Sequence, residues 1–377
     1  MPWRSKRVEE VREEFVLQAA KGNLSVSELC RRYEISRKTG YKWLKRHEEG
    51  GFAVLKDKPR CRHSQSHSTN KAIEQAILGV REEHPRWGGR KIRRFLEDRD
   101  YTDVPAASTI SGILRRHGYI SKEPKIIPAL HRFEHEAPNR LWQMDFKGHF
   151  AMEKGRCHPL TILDDHSRYN LCLQACANER RDTVKEKIIG VLKRYGLPER
   201  INVDNGQPWG SKFYQARYTS FSVWLIELGI TVSYSKPRHP QTNGKDERFH
   251  RTLNEEVVSC NYFRDLDHSQ KIFDGWRYCY NHERPHEAID MQTPVTRYSP
   301  SYRSYPGSIT EFDYSDECMV KKIDCRGRLN YKGKSLFVGM PFASRNVALR
   351  NVSSESKFDV FFRHQKINVF DLNKECF

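Results

Sequence analysis

Around Leu141 the hydrophobic pattern of this chain changes its period, and that change excludes a fold built from one repeated element. Upstream, apolar residues recur every three to four positions. Downstream, strand-like runs alternate with helical stretches. Beyond about residue 310 only short alternating runs remain. A multidomain chain is expected: helical modules first, then a mixed α/β core, then a small all-β domain. The 377 residues fit two to four domains at ~150 residues each.

The first module spans residues 1–50. Val8, Val11, Phe15, Val16 and Ala19 form a helical stripe, and Ser25-Val26-Ser27-Glu28 has the form of a capping box. That second helix runs to about Tyr33, and Ser36 is placed to cap a third, "RKTGYKWLKRH", with Trp43 and Leu44 in the core. Two short helices around a tight turn, the second carrying Arg37, Lys38, Lys42, Lys45 and Arg46, make a helix-turn-helix pattern suited to the DNA major groove. A helical bundle with a solvated basic face leaves the same trace. The charge balance favours a polyanion as partner. The chain is formally +18, and thirty basic against nineteen acidic residues fall within residues 1–140.

Residues 51–69 read as a polar linker. Its Cys61, His63 and His67 lack the second close pair that a zinc site needs, so they read as solvated linker residues. Residues 70–120 form a second three-helix unit, either another helix-turn-helix or a helical spacer, followed by a linker over 121–135. The α/β core is placed at 136–298. Strand-like runs lie at Trp142–Phe150, Leu160–Leu163, Tyr169–Ala175, Arg200–Val203 and Ile230–Tyr234. Helices are expected at Asp182–Tyr195, Phe213–Leu228, from near Gly244 past Val257, and Ser269–Tyr280. Residues 299–377 are expected to form a small β-barrel or sandwich.

Several function classes fall away. No apolar run reaches the ~18 residues of a membrane span, and no apolar leader precedes the first helix, so a cytoplasmic, nucleoid-associated protein is expected. Ten cysteines without C-x-x-C pairs read as reduced thiols. Gly333-Lys334-Ser335 resembles the end of a phosphate loop, but Arg328 stands where the first glycine is required, so no nucleotide cofactor is expected. His282-Glu283-Arg284-Pro285-His286 matches a zinc-protease pattern literally. Pro285 breaks the helix on which both histidines would have to lie, and that reading is discarded.

What survives is acidic. Asp145 sits inside the strand "LWQMDFKG", where a carboxylate is costly unless paired or bound to a cation. Asp204 ends the strand "INV" before the turn Asn205-Gly206, and Glu247 stands in the first turn of the helix "ERFHRTLNEEV". Three such acids meeting at one sheet edge would suit two divalent ions acting on a phosphodiester. Singly, Asp204 is also a good turn residue and Glu247 a good helix N-terminal acid.

The segments "WQMDFKG", "VDNGQP", "HPQTNGKDERFHRTLNEE" and "YNHERPHEAIDMQTPVTRY", in this order, resemble the DDE transposases of bacterial insertion sequences, whose core is retroviral-integrase-like. The likeness runs over the core and extends to the helical modules and the C-terminal β domain. It implies a ribonuclease-H-like fold with an Asp-Asp-Glu metal triad. By motif the triad falls on Asp145, Asp204 and Glu247, while Asp164, Asp165 and Asp246 are neighbours outside the motif positions. The 43 positions between Asp204 and Glu247 exceed the family's usual spacing, and "WGSKFYQARYTSF" is the expected place of the extra residues.

The resemblance further implies two Mg²⁺ ions, with Mn²⁺ as a substitute. It implies hydrolysis at the element's ends to free a 3′-OH, then attack of that 3′-OH on target DNA. Double-stranded DNA, as terminal repeats and as target, is the implied partner, bound by a homo-oligomer. Lys236, Arg238, Lys245, Arg248 and Arg251 would surround the acids with positive charge, with Lys245 and Arg248 on phosphates. A DNA-binding regulator with a decayed core and a plain metal-dependent nuclease are the competing readings.

Overall fold

The computed structural model describes residues 7–57, 69–120, 134–210, 217–235, 244–316, 318–351 and 356–373. The chain falls into two units, Met1–Ser68 and Thr69–Phe377. Cys61, His63 and His67 lie outside the described residues.

In the first unit, α1 (Val8–Ala20), α2 (Val26–Arg32) and α3 (Arg37–Gly50) enclose Phe15, Val16, Leu29, Cys30, Trp43 and Leu55. Ser25 and Glu28 form the reciprocal cap: the Glu28 N–H donates to Ser25 Oγ at 3.3 Å and the Ser25 N–H to Glu28 Oε2 at 2.9 Å. Ser36 Oγ accepts from the Thr39 N–H at 3.1 Å and starts α3. The turn between them holds Glu34 at φ 54°, which lets the Ile35 N–H reach Cys30 O at 2.9 Å.

Gly40 is where α3 crosses its neighbours, because a Cβ there would lie 2.4 Å from Cys30 Sγ and 3.1 Å from Phe15 Cζ. Alanine normally improves a helix interior over glycine by roughly 0.5–1 kcal/mol. Here overpacking dominates. Gly40→Ala is expected to cost about 1–3 kcal/mol and to show as faster amide exchange across α2 and α3.

The second unit opens with α4 (Lys71–Glu83), α5 (Gly89–Glu97) and α6 (Ala107–Arg116). Ile73, Ile77, Trp87, Ile92, Phe95, Ile110 and Leu114 fill their core. The sheet that follows comprises β1 (Trp142–Phe146), β2 (Phe150–Ala151), β3 (Arg156–Asp164), β4 (Asn170–Cys176), β5 (Arg200–Val203) and β6 (Thr231–Tyr234). Strands β4, β3 and β1 are antiparallel neighbours, and β5 then β6 continue parallel to β1, while β2 prolongs β1 along the same edge of β3. Helices cover both faces of this mixed sheet.

Alternation along β3 and β4 builds both faces. Leu160, Ile162 and Cys172 join the cluster under α7 (Arg181–Tyr195) and α8 (Ser220–Glu227). Cys157, Leu163 and Leu173 pack with Phe249, Leu253, Phe273 and Tyr280 of α9 (Gly244–Leu253) and α10 (Leu266–His282). Helix α9 passes directly into a wider turn at Asn254–Val258. Helix α8 begins at Ser220, later than the expected Phe213, because Thr219 and Ser222 cap it reciprocally and Tyr218 bridges to Gly210.

The C-terminal strands β7 (Met319–Lys322), β10 (Asn346–Asn351), β11 (Lys357–Phe362) and β12 (Gln365–Asp371) pair antiparallel in the order β12-β11-β10-β7. Strands β8 (Arg328–Tyr331) and β9 (Lys334–Phe337) form a separate hairpin, with Tyr331 edge-on to Phe358. Among the described residues this is an open sheet with a packed hairpin, in place of the expected barrel or sandwich. Its Gln365 side chain bonds both Val232 N–H and Val232 O, at 2.9 and 2.8 Å, tying this domain to the edge strand β6. Among the described residues no helix is long and apolar enough to cross a membrane.

Candidate active site and DNA-reading helix

Strand register brings the first two acids together. Gln143 of β1 lies opposite Asn202 of β5 in the parallel pair. Two residues further along each strand, on the same face, come Asp145 and Asp204. Both stand at the carboxyl ends of adjacent parallel strands, where open α/β sheets present functional groups. Asp145 Oδ1 accepts the Phe146 N–H at 2.8 Å, and Asp204 Oδ1 accepts the Gly206 N–H at 2.7 Å. Burial, then the neighbouring Asp204 charge, push the Asp145 carboxyl up to about 7.

Helix α9 supplies the third side of the site, and its first turn carries two acids. Asp246 is buried, at 4% exposure, and its Oδ1 has no hydrogen-bond partner. Burial and the charges of Asp145 and Asp165 raise its carboxyl well above the usual range. Glu247 stands on the exposed side of the same turn. The motif singles out Glu247 and not Asp246, yet the helix stripe contains a signal for the latter. Asp246, Phe249 and Leu253 share one face at i, i+3, i+7, so Asp246 points inward with the core residues.

The neighbouring polar groups set this helix in place. Lys245 pairs with the fully buried Asp165, which also accepts the His135 N–H and Gln143 Nε2, each at 2.9 Å. Thr161 Oγ1 lies 3.0 Å from Asp145 O and 2.8 Å from His250 Nε2, linking β1, β3 and α9. Burial holds His250 down to about 4, so it stays neutral. Asp164 serves the turn into β4, accepting from Asn139 N, Ser167 N and Ser167 Oγ at 2.8, 2.8 and 2.6 Å.

Chemically, the ends of β1 and β5 offer two carboxylates, Asp145 and Asp204, whose charges repel. An unpartnered buried oxygen on Asp246 and a carboxyl on Asp145 displaced toward neutrality are both relieved by a hard divalent cation with oxygen ligands. Asp145 and Asp204 offer the oxygen donors such an ion takes, while Asp145, Asp204 and Glu247 together do not bring three ligand atoms within 4.8 Å of one another.

Arg37, Lys38, Lys42 and Lys45 are exposed along α3. Lys42 Nζ and the Arg46 guanidinium also lie over the Trp43 ring, 5.2 and 4.9 Å from its centroid. Near the acids Arg248 is exposed, whereas Lys245 is partly buried against Asp165. Lys236 and Arg238 lie outside the described residues, as do residues 211–216 of the segment expected to hold the extra spacing.

Family models match the helical, core and C-terminal parts of the chain. The integrase core domain family matches residues 135–240 and, in a second form, 228–294. A helix-turn-helix domain matches 11–63, a homeodomain-like domain 39–114, and the C-terminal domain of IS481 family transposases 318–376. The chain is 31% identical over 141 residues to an uncharacterized protein of insertion element IS136 from Agrobacterium fabrum, covering 35% of this chain and 69% of that one. It is 22% identical over 236 residues to the 31.7 kDa protein of insertion element IS407 from Burkholderia multivorans, covering 60% and 80% respectively. Among solved structures, it is similar to the HTLV-2 integrase catalytic core domain in complex with magnesium, at 18% identity and TM-score 0.34, over 44% of this chain and 99% of that one. The chain belongs to the insertion-sequence transposases that carry a retroviral-integrase-like core.

Proposed function

We propose that this transposase cuts DNA at the ends of its own element and joins the freed 3′-OH to a target phosphodiester at one site, using two Mg²⁺ or Mn²⁺ ions held by Asp145, Asp204 and Glu247. The pairing of Asp145 with Asp204 at adjacent strand ends is the observation that carries this reading. When bound, the ions supply activation of the attacking oxygen and stabilisation of the leaving oxygen. The chain's own residues do the positioning. Phe146 N–H and Gly206 N–H orient the two aspartates, and the Lys245–Asp165 pair with His250 and Thr161 fixes the helix that presents Glu247.

Arg248, on the exposed side of that helix, is assigned to DNA phosphate, with Lys236 and Arg238 in the approach to it. Lys245 is assigned to holding the helix. Residues 1–50, with Arg37, Lys38, Lys42 and Lys45, and residues 70–120 read the terminal repeats. Residues 136–298 carry the chemistry, and 299–377 form the accessory β domain. The protein works as a homo-oligomer that pairs two ends on nucleoid DNA in the cytoplasm. Exchanging one phosphodiester for another calls for no nucleotide cofactor.

The test is incubation of the full chain with Mg²⁺ and DNA bearing its own element ends. Both cleaved and strand-joined products are expected. Cleavage without joining would leave a nuclease. Neither product, with end binding intact, would leave a DNA-binding regulator.

A further inference from the structure

Away from the acids, the discarded zinc-protease motif has an unexpected use. Helix α10 ends at His282, and Glu283 caps it, so His282 and His286 do not lie on one intact helix. His286 is buried, bonding Tyr280 O through Nε2 at 3.2 Å, and Arg284 makes a two-pronged pair with Glu256. His282 is exposed, and the half-buried Glu283 faces the second helical module, where Arg99 Nη2 lies 3.3 Å from its Oε1.

There it meets His84 and Cys279, and ligand-competent atoms of the three lie within 4.8 Å of one another. Cys279 and Glu283 sit one turn apart on the same side of α10. His84 arrives from the end of α4, where its ring stacks on Trp87 at 3.8 Å with an 11° tilt and meets Phe95 edge-on. That packing fixes the imidazole plane. Its Nε2 is buried and has no hydrogen-bond partner, the Glu83 carboxylate being 4.0 Å away. The Cys279 thiol donates to the Glu283 carboxylate, and the buried His84 Nε2 is left without a hydrogen-bond partner beside them.

We propose that His84, Cys279 and Glu283 form a site for one zinc-class divalent ion that staples the second helical module to α10 of the core. A nitrogen, a sulfur and an oxygen ligand suit a borderline cation, and a solvent molecule completes the tetrahedron. Ligand atoms around such an ion stand ~3.3–3.8 Å apart, given bonds of 2.0–2.3 Å, so the cluster needs to close by about 1 Å. Two changes accompany binding. The Cys279 thiol proton leaves to solvent as the thiolate takes the metal, and Arg99, whose Nη2 lies 3.3 Å from Glu283 Oε1, gives up part of that contact.

The site would join elements that already meet. Cys279 packs against the helical module's core, and Arg90 approaches Glu287 at 4.0 Å. Holding that contact fixes the orientation of a DNA-reading module relative to the catalytic sheet.

Cobalt(II) reports thiolate ligation directly. Titrating the full-length, metal-free chain with Co²⁺ is expected to give a near-ultraviolet thiolate-to-cobalt band that saturates at one ion per chain and is displaced by Zn²⁺. Cys279→Ser should abolish the band, while His84→Gln and Glu283→Gln each weaken binding at least tenfold. Zn²⁺ should raise the thermal midpoint of the wild type and leave that of Cys279→Ser unmoved. Absence of the band, or a band that survives Cys279→Ser, overturns the proposal. Should Cys279→Ser fail to fold, the Glu283→Gln titration decides, since unchanged Co²⁺ affinity there is equally fatal.

Discussion

Asp145→Asn is expected to abolish end cleavage and strand joining, lowering each by roughly a thousandfold or more, while making the metal-free protein more stable. On the proposed mechanism the loss follows from removing an oxygen ligand at the reacting phosphate, where a bound cation is worth several kcal/mol, or roughly 4 kcal/mol for three decades of rate. The gain follows from the burial of this carboxylate and, after it, from its repulsion by Asp204. Asp145 titrates at about 7 in the folded chain, raised by burial and Asp204, against about 3.9 for an unfolded aspartate. Between these values the folded state holds more protons than the unfolded one, so stability falls as pH rises from about 4 to 7. Asparagine carries no such charge. Thermal midpoints measured in chelator should coincide for the two proteins at pH 4 and separate in favour of Asp145→Asn at pH 8. Equal midpoints at both values would mean that the carboxylates do not repel.

The second large effect separates scaffold from DNA contact on one helix turn. Lys245 faces Asp165, which is fully buried. Lys245→Met leaves that carboxylate with the His135 N–H, Gln143 Nε2 and the more distant charge of Arg168. Breaking a buried ion pair from one side costs about 3–5 kcal/mol, and the two remaining donors argue for the lower end. Arg248→Ala, at an exposed position, should change stability by no more than ~0.5 kcal/mol and instead weaken DNA binding and flatten its salt dependence by about one ion. Urea unfolding without DNA reads the first effect, and binding titrations at several salt concentrations read the second. A stable Lys245→Met protein that loses only DNA affinity would return Lys245 to the phosphate role that its motif position implies.

These contrasts also mark what is legible from residues alone. Local devices are readable: the Ser25–Glu28 cap, Ser36 at the start of α3, and the run of short C-terminal strands each depend on neighbours a few positions away. Asp145 and Asp204 are readable as strand-end acids, but their adjacency requires the Gln143–Asn202 register, a pairing across 59 positions that no local pattern specifies. Helix α8 starts at Ser220 because Thr219 and Ser222 set its cap, which the apolar residues of "KFYQARYTSF" do not mark. Asp246 is hidden beside Glu247, which holds the motif position, and the stripe through Phe249 and Leu253 is the available clue to it. Lys245–Asp165 and His84–Cys279–Glu283 have no local clue, since each joins elements brought together only by the sheet and its covering helices.

The most direct test of the central claim counts metal ions. Mn²⁺ bound to the full chain on element-end DNA is measured by electron paramagnetic resonance, with Zn²⁺ added beforehand to occupy softer sites. The account predicts two tightly bound Mn²⁺ per active site in the wild type, both lost or greatly weakened in Asp145→Asn/Asp204→Asn, with DNA binding retained. Two Mn²⁺ bound as tightly by the doubly substituted protein as by the wild type would contradict it.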